Sequence, residues 1–439
     1  MQFALSRLFC KDCVQNMIIL VAGSGGREHA ICRSFSLSPK VAKIFCASGN
    51  AGIAGIAECI PIAPDEINRL ADFAEANSVD LTFVGGETPL ALGIVDVFTS
   101  RGLGIIGASG KAAQLEASKS FAKDFMQRHG IPTAKYRTAR SAENAIEILN
   151  SGEFGGEDDP VVVKADGLAA GKGVVVAGGR AEAIAAINEL ESLVGKDAAE
   201  TILLEECLFG SEVSLIMFVD GEDFALMPPT RDHKRIGEGD TGPNTGGMGT
   251  ITDASLLSDE QTAEIIRSIV RPTLSGCVAD GFPFRGILFL GLMMTADGPR
   301  VLEYNVRFGD PETQAILVRL ETDLVDICEA MIAGRLGETT IDWRPGSSAC
   351  VVLAAEGYPP SPRTGDVIRG LEQAGEHPNV TVFHAGTARN SDDNIVTSGG
   401  RVLGVTAVGS DLSAAIDLAY TAAGKIHWSG MQMRRDIGK

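Results

Sequence analysis

The twelve residues V-L-E-Y-N-V-R-F-G-D-P-E, 301 to 312, constrain this chain more than any other stretch. Val301 and Leu302 read as the end of an apolar strand. Side chains two apart in a strand share a face, so Glu303, Asn305 and Arg307 should point the same way. Gly309, Asp310 and Pro311 then turn the chain. A carboxylate beside an amide oxygen, followed by a planar cationic fork, suits a magnesium-nucleotide site. Magnesium takes one or two carboxylates plus phosphate oxygens, and a guanidinium binds phosphate oxygens in pairs. The competing reading is a strand end carrying solvated polar groups.

The chain before this clamp alternates strand and helix. Between residue 17 and about 120, Ile18 to Ala22, Val41 to Cys46, Leu81 to Val84 and Gly104 to Gly107 read as strands of a doubly wound parallel domain. Its first turn, Gly23-Ser24-Gly25-Gly26-Arg27-Glu28, departs from a dinucleotide fingerprint. Glu28 stands at the third glycine, and no acid ends the next strand to hold a ribose. A glycine-rich turn opening a helix can still present free N–H groups to phosphate, so Gly25, Gly26 and Arg27 either bind a small phosphorylated substrate or simply turn the chain tightly. Asn50 and Glu87 follow two later strands, where loops line the crevice of such sheets.

A second region, residues 121 to 335, holds the nucleotide candidates, with a lid subdomain at about 136 to 210. The helical pattern from Ser118 to Gly130 carries Lys119 and Lys123, positions that ordinarily face water. Residues 160 to 177 read as two β-branched strands joined by a glycine-rich loop, a hairpin lid. Lys172 in that loop is no P-loop lysine, since Asp166 and Gly173 occupy positions that motif reserves for Gly and Ser or Thr. Lys164 interrupts an apolar strand. A buried ammonium needs an anion, so it either meets a nucleotide phosphate or blunts a sheet edge. Thr201 to Leu208 form an apolar strand ending in Glu205 and Glu206, whose following backbone could address an adenine edge while Glu212 accepts from a ribose. The glycine-rich stretch from Arg231 to Gly249, containing Asp232, Lys234 and Asn244, reads as an ordered anion-binding loop. A helix is expected from Glu312 to about Gly334. Residues 345 to 439 read as a small α+β domain without a nucleophile or metal constellation of its own.

Composition narrows the partners. A net charge of -19 leaves no general attraction for nucleic acid or anionic membrane, so an anionic substrate must be held by local cations and backbone N–H groups. No apolar run reaches the length of a membrane span. Nine scattered cysteines read as reduced core residues of a cytoplasmic protein, and the Cys10/Cys13 pair lacks a zinc partner. Residues 1 to 16 read as an N-terminal extension without the apolar core of a secretory signal.

Five stretches in register, A-G-S-G-G-R-E-H-A, V-V-K-A-D-G-L-A-A-G-K-G-V, D-H-K-R-I-G-E-G-D-T-G-P-N-T-G-G-M-G, E-Y-N-V-R-F-G-D-P-E-T-Q and R-T-G-D-V-I, resemble the phosphoribosylamine–glycine ligase family of ATP-grasp enzymes from Met17 to Gly438. The resemblance implies ligation of glycine to 5-phosphoribosylamine with ATP and magnesium or manganese, through a glycyl phosphate. It implies Lys123, Lys164 and Lys172 at the ATP phosphates, Glu205, Glu206 and Leu208 at the base and Glu212 at the ribose. Glu303 and Asn305 would hold the metal, with Arg307, Asp310, Lys234 and Asn244 as catalytic residues. Gly25, Gly26, Arg27, Asn50, Glu87, Asp232 and Gly309 would face the substrates. Only small-molecule partners are expected, with the chain a monomer or weak homo-oligomer.

Overall fold

The structure is a computed structural model that describes residues 16–167, 173–195 and 199–439. Lys172, the Cys10/Cys13 pair and nearly all of the N-terminal extension lie outside the described residues.

Five strands, β1 (Met17–Gly23), β2 (Val41–Ser48), β3 (Glu58–Ile60), β4 (Leu81–Val84) and β5 (Ile105–Ile106), form a parallel sheet in the order β3-β2-β1-β4-β5. Its central strand is apolar throughout because both faces are covered, as parallel sheets require. Leu20 and Ala22 pack with Phe45, Leu70 and Ile94 on one side. Ile19 and Val21 pack with Ile31, Phe35 and Phe83 on the other.

A smaller antiparallel sheet follows, with β6 (Tyr136–Ala139), β7 (Val161–Ala165), β8 (Val174–Ala177) and β9 (Ile202–Glu206) in the order β6-β9-β7-β8. The β7-β8 pair is the expected hairpin, in register from Val161 against Ala177 to Lys164 against Val174. Helices Ala142–Asn150 and Arg180–Val194 cover one face.

The remaining strands are β10 (Ser211–Asp220), β11 (Asp223–Leu226), β12 (Thr230–Asp232), β13 (Arg235–Gly237), β14 (Thr241–Asn244), β15 (Gly249–Thr252), β16 (Arg285–Thr295), β17 (Gly298–Asn305), β18 (Ser347–Ala354), β19 (Val380–His384), β20 (Thr387–Arg389), β21 (Ile395–Thr397) and β22 (Arg401–Gly409). One sheet runs β17-β16-β10-β12-β15-β18-β22-β19, with β11 added beside β10. The C-terminal block therefore continues the central sheet through the β15-β18 ladder. Every residue of β18 is buried, so its backbone needs a partner strand on each edge, and β15 and β22 supply them.

Two local expectations change. The helix after Pro311 breaks into Glu312–Leu317 and Leu324–Ala333, because Asp323 starts the second helix by accepting from the Val325 amide at 2.9 Å. The 231–249 stretch is more than a loop. It contains β12 and the β13-β14 hairpin, where Arg235 faces Asn244.

Candidate active site

Residues from the two antiparallel-containing sheets, with Arg27 and Glu87 from helices that follow strands of the parallel sheet, surround one cavity of about 360 Å³. One end of it is cationic. The helix Lys119–Arg128, capped by Ser118, turns Lys123 inward until its side chain is 3% exposed. There Lys123 Nζ lies 2.9 Å from Glu205 Oε2, and Lys164 Nζ from β7 lies 3.0 Å from the same oxygen. Lys123 also donates to Thr133 Oγ1 at 2.8 Å, and Lys164 to the Leu302 carbonyl at 3.3 Å. Burial pushes the Lys123 ammonium down to about 8 despite the opposing pull of Glu205. Two ammonium groups sharing one carboxylate leave excess positive charge, and the other oxygen, Glu205 Oε1, is buried without a hydrogen-bond partner among the described residues. Lys119, expected to face water, lines the same cavity and donates to the Gly167 carbonyl at 2.8 Å.

The end of β17 forms the middle wall. Leu302, Glu303, Tyr304 and Asn305 all reach the cavity, because the β16-β17 register shifts between Gly291 and Leu292 and breaks strict alternation. Glu303 remains 42% exposed, and its nearest cation is Lys234 Nζ at 3.9 Å. Asn305 Oδ1 accepts from Arg307 Nη2 at 3.0 Å. Burial would raise the Glu303 carboxyl, but Lys234, Lys164 and Lys119 together hold it below its ordinary value.

The far end mixes charges from every part of the chain. Arg307 is held by Glu116 at 2.8 Å and Glu87 at 3.1 Å. Arg27 donates to the Phe308 carbonyl at 3.0 Å and pairs with Glu28 at 2.6 Å. Burial would raise Glu87, yet Arg307 and Arg27 bring it to about 2. Arg401, the first residue of β22, pairs with Asp310 Oδ2 at 3.2 Å and donates to the carbonyls of Asp310 and Gly246. Gln314 Nε2 donates to Asp310 Oδ1 at 2.7 Å. Asp232 and Glu312 also line this end, and burial pushes both carboxyls upward, with the Glu312 charge adding to the rise at Asp232 and the Asp310 charge to the rise at Glu312.

The structure thus gathers Arg27, Glu87, Lys123, Lys164, Glu205, Asp232, Lys234, Asn244, Glu303, Asn305, Arg307 and Asp310 around one space. Others of the expected set lie behind it. The Gly25 amide is taken by Glu28 Oε2 at 2.6 Å, so it is not the free anion donor that the turn suggested. Gly26 admits Gln314, whose Nε2 would lie 2.5 Å from an added Cβ. Asn50 braces loops instead of projecting, donating to the carbonyls of Ser24 and His384 at 2.8 Å each. Gly309 accepts from the Thr313 amide at 3.3 Å. Glu206 accepts from the Lys135 amide at 2.8 Å, away from the cavity, which Leu208 does not line either. Glu212 lines a small annexe beside Lys234, 3.7 Å from its Nζ. The reading missed Glu116, Lys119, Glu312 and Arg401. Only the lysine spacing on the 119–128 helix carried a signal, since positions 119 and 123 share a face.

Comparison with known proteins agrees along the whole described length. The chain matches Phosphoribosylglycinamide synthetase, N domain, over residues 17–116, its ATP-grasp (A) domain over 117–313 and its C domain over 348–439. A phosphoribosylamine–glycine ligase of Xanthomonas axonopodis pv. citri is 48% identical over 426 residues, covering 96% of this chain and 97% of its own. One from Yersinia pestis is 47% identical over 428 residues, covering 96% and 98%. The crystal structure of the Thermotoga maritima phosphoribosylamine–glycine ligase aligns with a TM-score of 0.80 at 32% identity, over 96% of this chain and 100% of that one. A biotin carboxylase domain from Hydrogenobacter thermophilus, solved with MgADP, aligns at 0.72 with 17% identity over 95% and 91%, a likeness of fold alone. With three successive domains matched and nearly half its residues identical to these relatives, the chain belongs to the phosphoribosylglycinamide synthetase family, ligases built on the ATP-grasp fold.

Proposed function

We propose that the cavity joins glycine to 5-phosphoribosylamine with ATP, through a glycyl phosphate, yielding glycinamide ribonucleotide, ADP and phosphate for purine biosynthesis. The observation that carries this reading is the continuity of one wall. Glu303 and Asn305 stand between the lysine end and the mixed-charge end, so a nucleotide phosphate held at the first can meet a small zwitterion held at the second. Lys123, Lys164 and Lys119 neutralise the phosphates, and Glu205 Oε1, which has no partner among the described residues, offers a lone pair to a nucleotide donor.

The donor set fits magnesium or manganese. Glu303 offers a half-exposed carboxylate with no close ion pair, and Asn305 an amide oxygen with a second lone pair. When bound, the metal would neutralise phosphate charge. Asp310, oriented by Arg401 and Gln314, holds the glycine ammonium, and Arg307 and Lys234 face the charge of the transferred phosphoryl group. Attack by the phosphoribosylamine nitrogen on the activated carbonyl releases a proton, which Asp232, in the cavity wall with Glu312, accepts. Arg27, with Glu87 behind it, serves the phosphate and hydroxyls of the ribosyl substrate. Most of the rate gain comes from positioning and charge neutralisation.

The test is ADP release that requires glycine and phosphoribosylamine together. Hydroxylamine, in place of phosphoribosylamine, should trap the acyl phosphate as glycine hydroxamate. Turnover with other amino acids but not with glycine would overturn the substrate assignment.

A further inference from the structure

Lys234 reaches the cavity from a position that its own side chain does little to secure. Its side chain is 45% exposed, and its nearest carboxylates are Glu212 at 3.7 Å and Glu303 at 3.9 Å. Neither distance is a hydrogen bond. The backbone must therefore place it, and both chain neighbours of Lys234 hang on the segment 434–438. On one side, the Gly438 amide donates to His233 Nε2 at 3.1 Å. On the other, Arg434 Nη1 donates to the Arg235 carbonyl at 3.2 Å.

The grip extends to the tip of the β13-β14 hairpin. Arg434 Nη1 pairs with Asp240 Oδ1 at 2.6 Å. Its Nε and Nη2 both reach Asp436, each at 2.8 Å, and Asp436 Oδ2 accepts from the Gly239 amide at 2.8 Å. The Arg435 amide donates to Glu238 Oε1 at 3.2 Å. The segment is itself anchored, since the Tyr420 hydroxyl donates to the Arg434 carbonyl and accepts from the Ile437 amide, both at 3.0 Å. The Arg434 side chain is 2% exposed and hydrogen-bonded along its whole fork. A buried guanidinium is retained only where its partners are fixed, and here those partners are the hairpin backbone and two carboxylates.

We infer that Arg434 is a positioning residue for the ligase reaction: the segment 434–438 clamps the β13-β14 hairpin and thereby holds Lys234 and Asn244 in the cavity. The clamp reaches Asn244 as well, because Arg235, whose carbonyl Arg434 holds, faces Asn244 across the hairpin. A site on a two-stranded hairpin is otherwise loose, and a displacement of about 1 Å can cost on the order of a hundredfold in rate.

This inference rests on the catalytic role proposed for Lys234, and a double-mutant cycle separates the two. Arg434→Met should lower kcat about tenfold or more while leaving the KM for ATP within about twofold, because the cationic end of the cavity is untouched. Arg434→Lys should restore part of the loss by keeping one arm of the clamp. In a Lys234→Met background, Arg434→Met should cost a clearly smaller factor, the part carried by Asn244 alone. Asp240→Asn, at an exposed position that removes one partner without burying a charge, should lower kcat in the same direction by a smaller factor. Hydrogen exchange in the full chain should quicken in residues 235–244 and stay unchanged in β16 and β17. If Lys234→Met is harmless, the role of Lys234 falls. If Lys234→Met abolishes turnover while Arg434→Met and Asp240→Asn leave kcat unchanged, or if Arg434→Met costs the same factor in both backgrounds, the clamp inference is overturned.

Discussion

Arg307 Nη2 lies 2.8 Å from Glu116 Oε1, a bond across 191 positions of sequence between a residue proposed to act in the reaction and a carboxylate with no catalytic signature. Glu116 Oε2 also accepts from the Val306 amide at 2.8 Å, so one buried carboxylate fixes both the side chain of Arg307 and the backbone before it.

Removing that carboxylate should therefore act on activity and stability together. Glu116→Ala leaves Arg307 with Glu87 as its remaining ion-pair partner and should destabilise the fold by about 3 kcal/mol, the usual order for breaking a buried ion pair. Urea denaturation measures the loss, and kcat should fall in the same variant. Wild-type stability would mean that Glu87 and water replace Glu116 fully.

Glu303→Gln removes the charge of a proposed metal ligand at a half-exposed position whose nearest cation, Lys234, is 3.9 Å away. The melting temperature should stay within about 2 °C of the parent, as for a surface substitution, while the magnesium concentration needed for half-maximal activity rises about tenfold or more. A titration of magnesium at fixed ATP checks this. An unchanged metal requirement would place the ion elsewhere.

Arg27→Ala should separate the two ends of the cavity. Arg27 lies with Glu87 and Phe308, and Lys123 and Lys164 belong to the opposite end. Loss of a charge-assisted contact to the ribosyl substrate should raise its KM about tenfold or more, with the KM for ATP within about twofold. Equal rises for both substrates would argue for a general loss of fold.

Lys123 sets a pH dependence whose sign follows from burial. Its ammonium is brought from 10.5 down to about 8, so the folded chain binds fewer protons there than the unfolded chain. Burying the charge is a penalty fully present below pH 8 and relieved as the pH rises toward 10.5. Nucleotide binding runs the opposite way, because only the charged form attracts phosphate. The KM for ATP should climb as pH passes about 8, and Lys123→Arg, which keeps its charge, should flatten that rise. An identical pH profile in the arginine variant would remove Lys123 as the titrating group.

The parts of this protein that could be read from the chain are those in which the information is local. Glu303 and Asn305 could be placed together because strand geometry puts alternate residues on one face, and Arg307 follows just beyond the strand end. The β7-β8 hairpin and the parallel first sheet followed from β-branched runs and turn residues. Lys164 was legible because a charge inside an apolar strand demands a partner. Where long-range packing competes with local preference, the reading failed. The single helix expected after Glu312 is broken by the Asp323 cap and by Leu320 pairing with Trp343. The Gly25 amide looked free until Glu28 folded back on it.

The sequence by itself determined the class of fold, the polar strand end that lines the cavity and the family. These rest on periodicity and on motifs whose residues are near neighbours. Only the tertiary structure decided which oxygen each cation meets. Glu205 becomes the shared partner of Lys123 and Lys164, Arg401 reaches Asp310 from the last large block, and Arg434 grips the hairpin beside Lys234. Each of these is a pairing between segments distant in sequence, and a charged side chain carries no local signal of its partner. The choice is made by burial, which removes water and leaves only the group that the fold has brought within reach.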